Sequence, residues 1–264
     1  MFDSLFHLPL LVAAPVVIGS MCLFAILGLL ATRRWILPRL RVRVSDGEFS
    51  GTMVQAIMVF YGLAVALIAV SVWETYSEVA SDVSHESTRL GALYRDVSGY
   101  PEPIRTELQE ELRGYTRYLV DEAWPVHRQG GHPTRGIEWM NRFQSTLVTF
   151  EPVTEGQRIL HAETLRAYNL MIDARRLRLE AMLTRLPGLL WGVVLFGAAI
   201  SLVASYFFDV EDGRLHGIMV TLLAAFIGLV MVMILAFDRP FHGELGIGPQ
   251  DYQMAYDELM RPGD

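Results

Sequence analysis

Four blocks of apolar residues, separated by polar segments, divide the chain. They cover residues 8–31, 52–73, 187–208 and 214–237. A helix needs about 20 apolar residues to cross the hydrocarbon core of a bilayer, and each block is that long. The pattern predicts an all-α membrane protein with four transmembrane helices.

The third and fourth blocks are joined by a short acidic turn, residues 209–213, which makes the two helices antiparallel. Each block carries a stripe of small or hydroxyl residues, and such stripes let two helices approach closely. We therefore predict that this hairpin packs tightly on itself. The residues predicted to make the contact are Ser201, Ser205, Gly217, Thr221 and Gly228.

The long polar segment between the second and third blocks, residues 74–186, predicts a helical extramembrane domain. Apolar residues recur at heptad spacing near both of its ends, which favours an antiparallel stalk of two long helices with shorter helices packed across it. Glu86 interrupts the first seam, and a capping box of Thr154 and Gln157 opens the second stalk helix. The second seam consists of Leu160, Ala167, Leu170, Ala174, Leu177 and Ala181.

Composition and charge narrow the function classes. The net charge of −7 argues against a nucleic-acid partner, which requires a basic surface. All 22 basic residues are arginine, a bias that a GC-rich bacterial genome explains better than a mechanism does. The only cysteine, Cys22, cannot form a disulfide within the chain. We expect a multi-pass protein of a bacterial inner membrane, in contact with lipid.

Arginines near the spans give two conflicting indications of orientation. The loop predicted over residues 32–51 holds five arginines and should face the cytoplasm, which places the N-terminus and the domain of residues 74–186 outside. Four arginines close to the third span favour a cytoplasmic domain instead. Long domains translocate largely regardless of charge, so we expect the first arrangement. The first block lacks the preceding basic residues of a signal peptide and is expected to be an uncleaved span.

The second span offers a candidate pore surface, because a stripe of small residues follows one of its faces. Ordinary helix packing also produces such a stripe and is the commoner cause. Channels conduct through apolar and hydroxyl linings and can be gated by a hydrophobic constriction. The candidate pore-lining residues are Gln55, Phe60, Tyr61, Gly62, Ala66 and Ala69.

The sequence contains no motif for catalysis or for a cofactor. It has no phosphate-binding glycine loop, nucleophile elbow or paired-histidine zinc motif, so we expect neither an enzyme nor a bound cofactor. His127 and His132 follow no zinc spacing and are expected to be exposed loop side chains rather than metal ligands. The four blocks hold no charged residue near their middle, which fits a channel better than a proton-coupled transporter.

The last polar segment, residues 238–264, begins with a compact turn where the fourth span ends. Arg239 is placed to complement the helix dipole, and the Asp238 carboxylate is expected to accept from backbone N–H groups in the turn. Acidic residues farther along follow no EF-hand order, so we expect a solvated amphipathic helix over residues 249–260 rather than a calcium site. We predict a structural role for the exit turn, which consists of Asp238, Arg239, Pro240, Phe241 and Gly243.

Several local strings together resemble one family. They are Val72-Trp-Glu74, Leu93-Tyr-Arg95, Pro101-Glu-Pro103, Glu122-Ala-Trp-Pro125, Ala174-Arg-Arg-Leu-Arg-Leu179, Leu186-Pro-Gly-Leu-Leu-Trp191 and Asp238-Arg-Pro-Phe-His-Gly243. Because the strings occur in order, at fitting intervals and over nearly the whole chain, the sequence is identified as a member of the bestrophin-like domain family of bacterial multi-pass membrane proteins.

The resemblance implies a function as well as a layout. Bestrophins, which share this layout, are pentameric calcium-gated anion channels with a cytoplasmic helical domain. Here no dense acidic run follows the fourth span, and their phenylalanine-rich neck is represented only by Phe60 and Tyr61. The first hypothesis is a homo-oligomeric channel for a small ion, a pentamer with an anion favoured by analogy. The alternative is a non-conducting, membrane-anchored sensor or scaffold with a helical stalk.

Overall fold

The structure is a computed structural model that describes residues 10–40, 47–208, 212–243 and 245–261. Every regular element within these ranges is helical, and the predicted all-α membrane fold is confirmed. Some predictions lie outside the described residues: the first two residues of span one, Arg41 and Arg43 of the basic loop, most of the acidic turn, Glu244 and the chain end.

The chain divides into two compact units. Unit 1 consists of Met1–Thr75 and Arg185–Asp238, and unit 2 consists of Tyr76–Thr184 and Arg239–Asp264. The 51-residue helix α3, Gly47–Val97, contributes its first part to unit 1 and its second part to unit 2. The polar tail after the fourth span is thus part of unit 2.

Unit 1 contains the membrane-spanning helices. Four helices of the described chain are long and apolar enough to cross a membrane. They are α1 (Leu10–Ala31), the first part of α3, α8 (Gly188–Tyr206) and α9 (Gly213–Phe237). Their contact surfaces form a core that includes Ala25, Val65, Val194, Ala198, Leu202, Ala224 and Ile227.

The predicted basic loop over residues 32–51 is wrong in much of its length. The first helix continues through a wide π-helical turn, Thr32–Ile36, into the short helix α2, Leu37–Leu40. Helix α3 then begins at Gly47. No glycine or proline occurs between residues 32 and 37 to stop the helix, and Pro38 falls in the first turn of α2, where its missing N–H is tolerated.

Unit 2 is a helical domain built on the second part of α3. Its other helices are α4 (Ile104–Tyr118), α5 (Trp124–Arg128), α6 (Gly136–Thr149), α7 (Glu155–Ala181) and α10 (Gln250–Ala255). A π-helical turn, Leu119–Ala123, joins α4 to α5. A second π-helical turn, Tyr256–Met260, continues α10. The predicted capping box of Thr154 and Gln157 at the start of α7 is confirmed.

Helices α3 and α7 are antiparallel within unit 2, as the stalk prediction requires. Arg89 of α3 donates to the Leu170 carbonyl oxygen at 2.7 Å. Just after the end of α3 the Tyr100 hydroxyl lies 2.9 Å from His161 Nδ1. A later residue at the α3 end thus contacts an earlier residue of α7, as in an antiparallel pair of helices. The predicted seam on α7 is only partly right, because Leu170 and Leu177 are exposed.

The surface that α7 buries also faces α6, which explains the shifted seam. The Tyr168 ring stacks on Phe143, and its hydroxyl donates to the Met140 carbonyl oxygen at 3.2 Å. A helix that contacts two neighbours needs a wider buried face than a two-helix seam provides. The residues that α7 buries are Thr164, Tyr168, Met171, Ala174, Arg178 and Ala181.

The predicted amphipathic helix over residues 249–260 is present as α10 and the π-helical turn that follows it, but one of its faces is packed in unit 2 rather than solvated. Tyr252 and Met260 are completely buried in the core of unit 2. The backbone carbonyl of Asp251 accepts a hydrogen bond from Ser87 of α3 at 2.8 Å. The acidic side chains occupy the outer face of this segment, while its aromatic and methionine side chains fill space in the helical domain.

Candidate functional site

The membrane-spanning part of α3 has two opposite apolar faces. Val65, Ile68 and Val72 are buried in the core of unit 1. The other face is exposed along its length, at Phe60, Leu63, Leu67 and Val70. In a membrane this second face must be covered by lipid, by another copy of the chain or by the contents of a pathway.

The residues predicted to line a pore lie in different environments in the structure. Phe60 is 72% exposed and belongs to the free face. Tyr61 points into its own unit, where its hydroxyl donates to the Val194 carbonyl oxygen at 3.1 Å and its ring lies against Gly197. Gln55 borders an open cavity of about 520 Å³ beside Phe208.

The three small residues of the stripe border a different cavity. Gly62, Ala66 and Ala69 line an apolar cavity of about 400 Å³ together with side chains of α8 and α9. Ser201 also borders it, and its buried hydroxyl has no hydrogen-bond partner in the described part of the chain. The stripe therefore borders a cavity that α8 and α9 also line, and it lies beside the free face of α3 rather than on it.

The small residues of the fourth span pack mainly against α1, not against α8 as predicted. A side chain at Gly228 would meet the Ile18 backbone, with only 3.0 Å between its Cβ and the Ile18 Cα. About two turns earlier on α9, the Thr221 carbonyl oxygen accepts a hydrogen bond from Cys22 Sγ at 3.7 Å. Gly217 has open space around its Cα. The contact that the stripe permits is a close approach of α1 and α9.

The hairpin of α8 and α9 is joined instead by a polar cluster near its turn. His216 is buried, and its Nε2 donates to the Ser205 carbonyl oxygen at 3.0 Å. Arg33 Nη2 donates to His216 Nδ1 at 2.8 Å. Because a guanidinium can only donate, Nδ1 accepts and the imidazole carries its proton on Nε2.

The Asp238 carboxylate has partners other than the predicted ones. Its Oδ1 accepts from the Leu186 backbone N–H at 2.6 Å, and its Oδ2 lies 3.4 Å from Trp191 Nε1. The Asp238 carboxylate therefore binds donors at the start of α8, within unit 1, rather than backbone N–H groups of the turn after the fourth span. A backbone donor just before Pro187 has no helical partner of its own, which explains why this side chain is used.

The rest of the exit turn belongs to unit 2. Phe241 is buried and lies 6.0 Å from the Trp124 ring. The Pro240 carbonyl oxygen accepts from the Ile247 N–H at 2.7 Å, and the Arg239 carbonyl oxygen accepts from the His242 N–H at 3.0 Å. Gly243 adopts a φ of 73°, a conformation that favours glycine.

A buried network of charged and aromatic side chains occupies the centre of unit 2. Arg178 Nε donates to Glu86 Oε2 at 2.6 Å, and both side chains are almost fully buried. Glu86 also accepts from the Tyr115 hydroxyl at 2.9 Å. Arg178 Nη1 lies 3.0 Å from His127 Nε2, and its guanidinium stacks over the Trp124 ring.

The network fixes protonation states. Burial, reinforced by the charge of Arg178, lowers the pKa of His127 to about 3, so the imidazole is neutral. Burial and the neighbouring Glu86 carboxylate raise the pKa of the Tyr115 phenol. Burial opposes the charge on Arg178, but Glu86, together with Tyr252 and Tyr115, outweighs this effect and holds the pKa of Arg178 above its ordinary value.

Sequence reasoning missed this network and gave its members other roles. Glu86 was expected to be a break in a seam, and His127 an exposed loop residue. Pro125 lies in the first turn of α5, where a proline is tolerated, and α5 brings His127 into the core. A charge at a heptad core position was the available signal, because a buried carboxylate needs a partner.

Comparison with known proteins identifies the family. The family model of the bestrophin-like domain matches residues 19–252. The chain belongs to the bestrophin-like domain family. The resemblance found in the sequence strings is thereby confirmed. No curated protein and no solved structure matches the chain.

Replacing Asp238 by alanine is expected to cost about 1–2 kcal/mol of stability, because the Leu186 N–H is left buried without an acceptor. Asp238→Asn keeps an acceptor oxygen and should cost less. The midpoint of thermal unfolding of both purified variants tests this. A structural role predicts that activity follows the amount of folded protein, and a stable Asp238→Ala variant without activity would contradict it.

Proposed function

We propose that the protein is an ion channel formed by several copies of the chain in a membrane. The observation that carries this proposal is membership of the bestrophin-like domain family over nearly the whole chain. The free face of α3 supports it, because this helix contributes to both the membrane unit and the helical domain and has one face without a partner among the described residues. A transport role, rather than catalysis, is what we propose.

The free face of α3 is the proposed lining of the pathway. It consists of apolar and aromatic side chains, and residues 52–73 contain no charged residue. A ring of such side chains gates by excluding water from a narrow constriction. Of the predicted lining residues Phe60 belongs to this face, and Leu63, Leu67 and Val70 join it.

The remaining details rest on analogy and on charge. The similarity to bestrophins favours an anion and five copies. We place the protein in a bacterial inner membrane, with the domain of residues 74–186 outside because the arginines after the first span favour a cytoplasmic position for that segment. A cytoplasmic domain, as in bestrophins, is the alternative.

Replacing Leu63 by serine is expected to raise ion flux severalfold, since a hydroxyl in a hydrophobic constriction admits water. Flux into liposomes containing the purified protein measures this. Leu27→Ser is the matched control, because Leu27 of α1 is 56% exposed and Leu63 is 57% exposed. The control should leave flux unchanged. Equal changes in both variants would show that α3 does not line the pathway. A purified protein that carries no flux with any ion, at any pH or calcium level, would refute the channel.

A non-conducting sensor or scaffold is the second candidate. The buried Glu86–Arg178 pair in the centre of unit 2 favours it, because a buried charge network is a structure that a bound ligand can reorganise. This function predicts a protein that assembles normally in liposomes and carries no current. The same flux measurement therefore separates the two candidates.

A further inference from the structure

The free face of α3 ends in a carboxylate. Its exposed apolar residues recur at alternating spacings of three and four residues, at Phe60, Leu63, Leu67 and Val70. The next position in this series is Glu74, which is exposed as well. With 3.6 residues per turn, all five positions lie within about 80° of one another around the helix, and Glu74 is near the middle. Glu74 therefore continues the face that is proposed to line the pathway.

The Glu74 carboxylate has no cationic side chain beside it. It forms no ion pair with any residue in the described ranges. Between Gly47 and Thr75, α3 contains no arginine, lysine or histidine, and its other charged residue, Glu48, is also acidic. Every arginine of unit 1 lies before α3 or within residues 185–238. Any fixed side-chain charge that this stretch of α3 presents to a pathway is therefore negative.

The rest of the membrane-spanning part of α3 does not distinguish one sign of charge from the other. Residues 52–73 are uncharged, and a hydrophobic constriction acts by admitting or excluding water. The helix runs on to Val97, so no helix terminus with its partial dipole charge lies near Glu74. Selection by charge along the free face therefore depends on the Glu74 side chain.

Symmetric assembly multiplies the charge of Glu74. In a closed ring of identical copies, every copy presents the same surface to the axis. If that surface is the free face of α3, the carboxylates form a ring where the apolar lining ends. Rings of Asp or Glu side chains select cations, whereas rings of Arg or Lys select anions. Such a ring raises the local concentration of cations at the end of the constriction and lowers that of anions.

We propose that the pathway prefers small cations over anions and that Glu74 determines this preference. The inference rests on the proposed function, because a preference exists only if the copies form a conducting ring. It departs from the similarity to bestrophins, which favours an anion, and follows the charges of this chain instead. The apolar part of the free face then forms the gate, and Glu74 is the specificity-determining residue beside it.

The test is the reversal potential of the purified full chain in planar bilayers that separate unequal concentrations of KCl. The unmodified protein should prefer potassium over chloride. Glu74→Gln should still conduct but lose most of the preference, and Glu74→Arg should reverse it. The preference should also weaken with ionic strength, because the Debye length falls from about 10 Å at 0.1 M salt to about 3 Å at 1 M.

Arg185→Gln is the matched control. Arg185 is exposed and lies just before α8, and its replacement changes the charge of unit 1 by one unit, as Glu74→Gln does. This variant should leave the reversal potential unchanged. A shift as large as that of Glu74→Gln would show that general surface charge sets the preference, which overturns the inference.

Two further results separate the inference from the proposed function. A protein that conducts but prefers chloride, or that keeps its cation preference in Glu74→Gln, overturns the role of Glu74 and leaves the channel standing. A protein that carries no current with any ion refutes the channel, and the inference falls with it.

Discussion

Replacement of Arg178 by methionine is expected to destabilise the protein by about 3–5 kcal/mol, which corresponds to a fall of about 10 °C in the midpoint of thermal unfolding. Methionine fills much of the same volume but supplies no donor. Glu86, which is completely buried, would lose its contact at 2.6 Å with the guanidinium, and the phenol hydroxyls beside it carry no charge to replace that contact. The cost arises because an unpaired carboxylate in the core is far less stable than the same group in water.

Two further variants isolate the buried pair. Arg176 lies two residues away and forms an exposed pair with Glu180 at 2.8 Å, so Arg176→Met should leave the midpoint of thermal unfolding almost unchanged. The double variant Glu86→Leu with Arg178→Met removes both charges and should recover most of the lost stability. If Arg178→Met behaves like Arg176→Met, the pair does not hold the core together.

Replacement of Gly228 by valine is expected to cost about 1–3 kcal/mol, because it overfills the contact between α1 and α9. A Cβ at this position would lie 3.0 Å from the Ile18 Cα, and a backbone atom cannot rotate out of the way as a side-chain end can. The two helices would have to separate over the surrounding turns. Thermal unfolding of the purified protein in detergent measures the loss.

Gly217→Val is the matched control for this substitution. Gly217 belongs to the same helix and the same predicted stripe, but beyond its own helix backbone no atom of the described residues lies within 4 Å of a Cβ placed there. Both variants introduce the same β-branched residue into α9, so the difference between them reports the contact alone. Equal losses would show that the close approach of α1 and α9 contributes little.

Gly217 and Gly228 also show what a stripe of small residues in a sequence can predict. The stripe on the fourth span predicts that some helix approaches it closely, and at Gly228 one does. The pattern contains no information about which helix this is. The stripes on the third and fourth spans match each other and predict α8 as the partner, whereas α1 is distant in sequence and close in space.

The pore candidates show the same limit. The stripe of small residues on α3 borders a cavity that α8 and α9 of the same chain also line. The face without a partner carries larger side chains, at Leu63, Leu67 and Val70. Hydrophobic spans are apolar on all sides, so their sequence does not distinguish an inner face from an outer one.

Properties that depend on neighbouring residues can be predicted from the sequence: four apolar spans, the helical segment between the second and third, the capping box of α7 and the family strings. Which surfaces meet depends on the packing of the folded chain. It joined Glu86 to Arg178 across 92 residues, buried His127 and placed Tyr252 in the core of unit 2. The reason is physical, because helix formation and membrane insertion follow local apolar content, whereas a buried charge is stable only beside a partner that the folded chain brings to it.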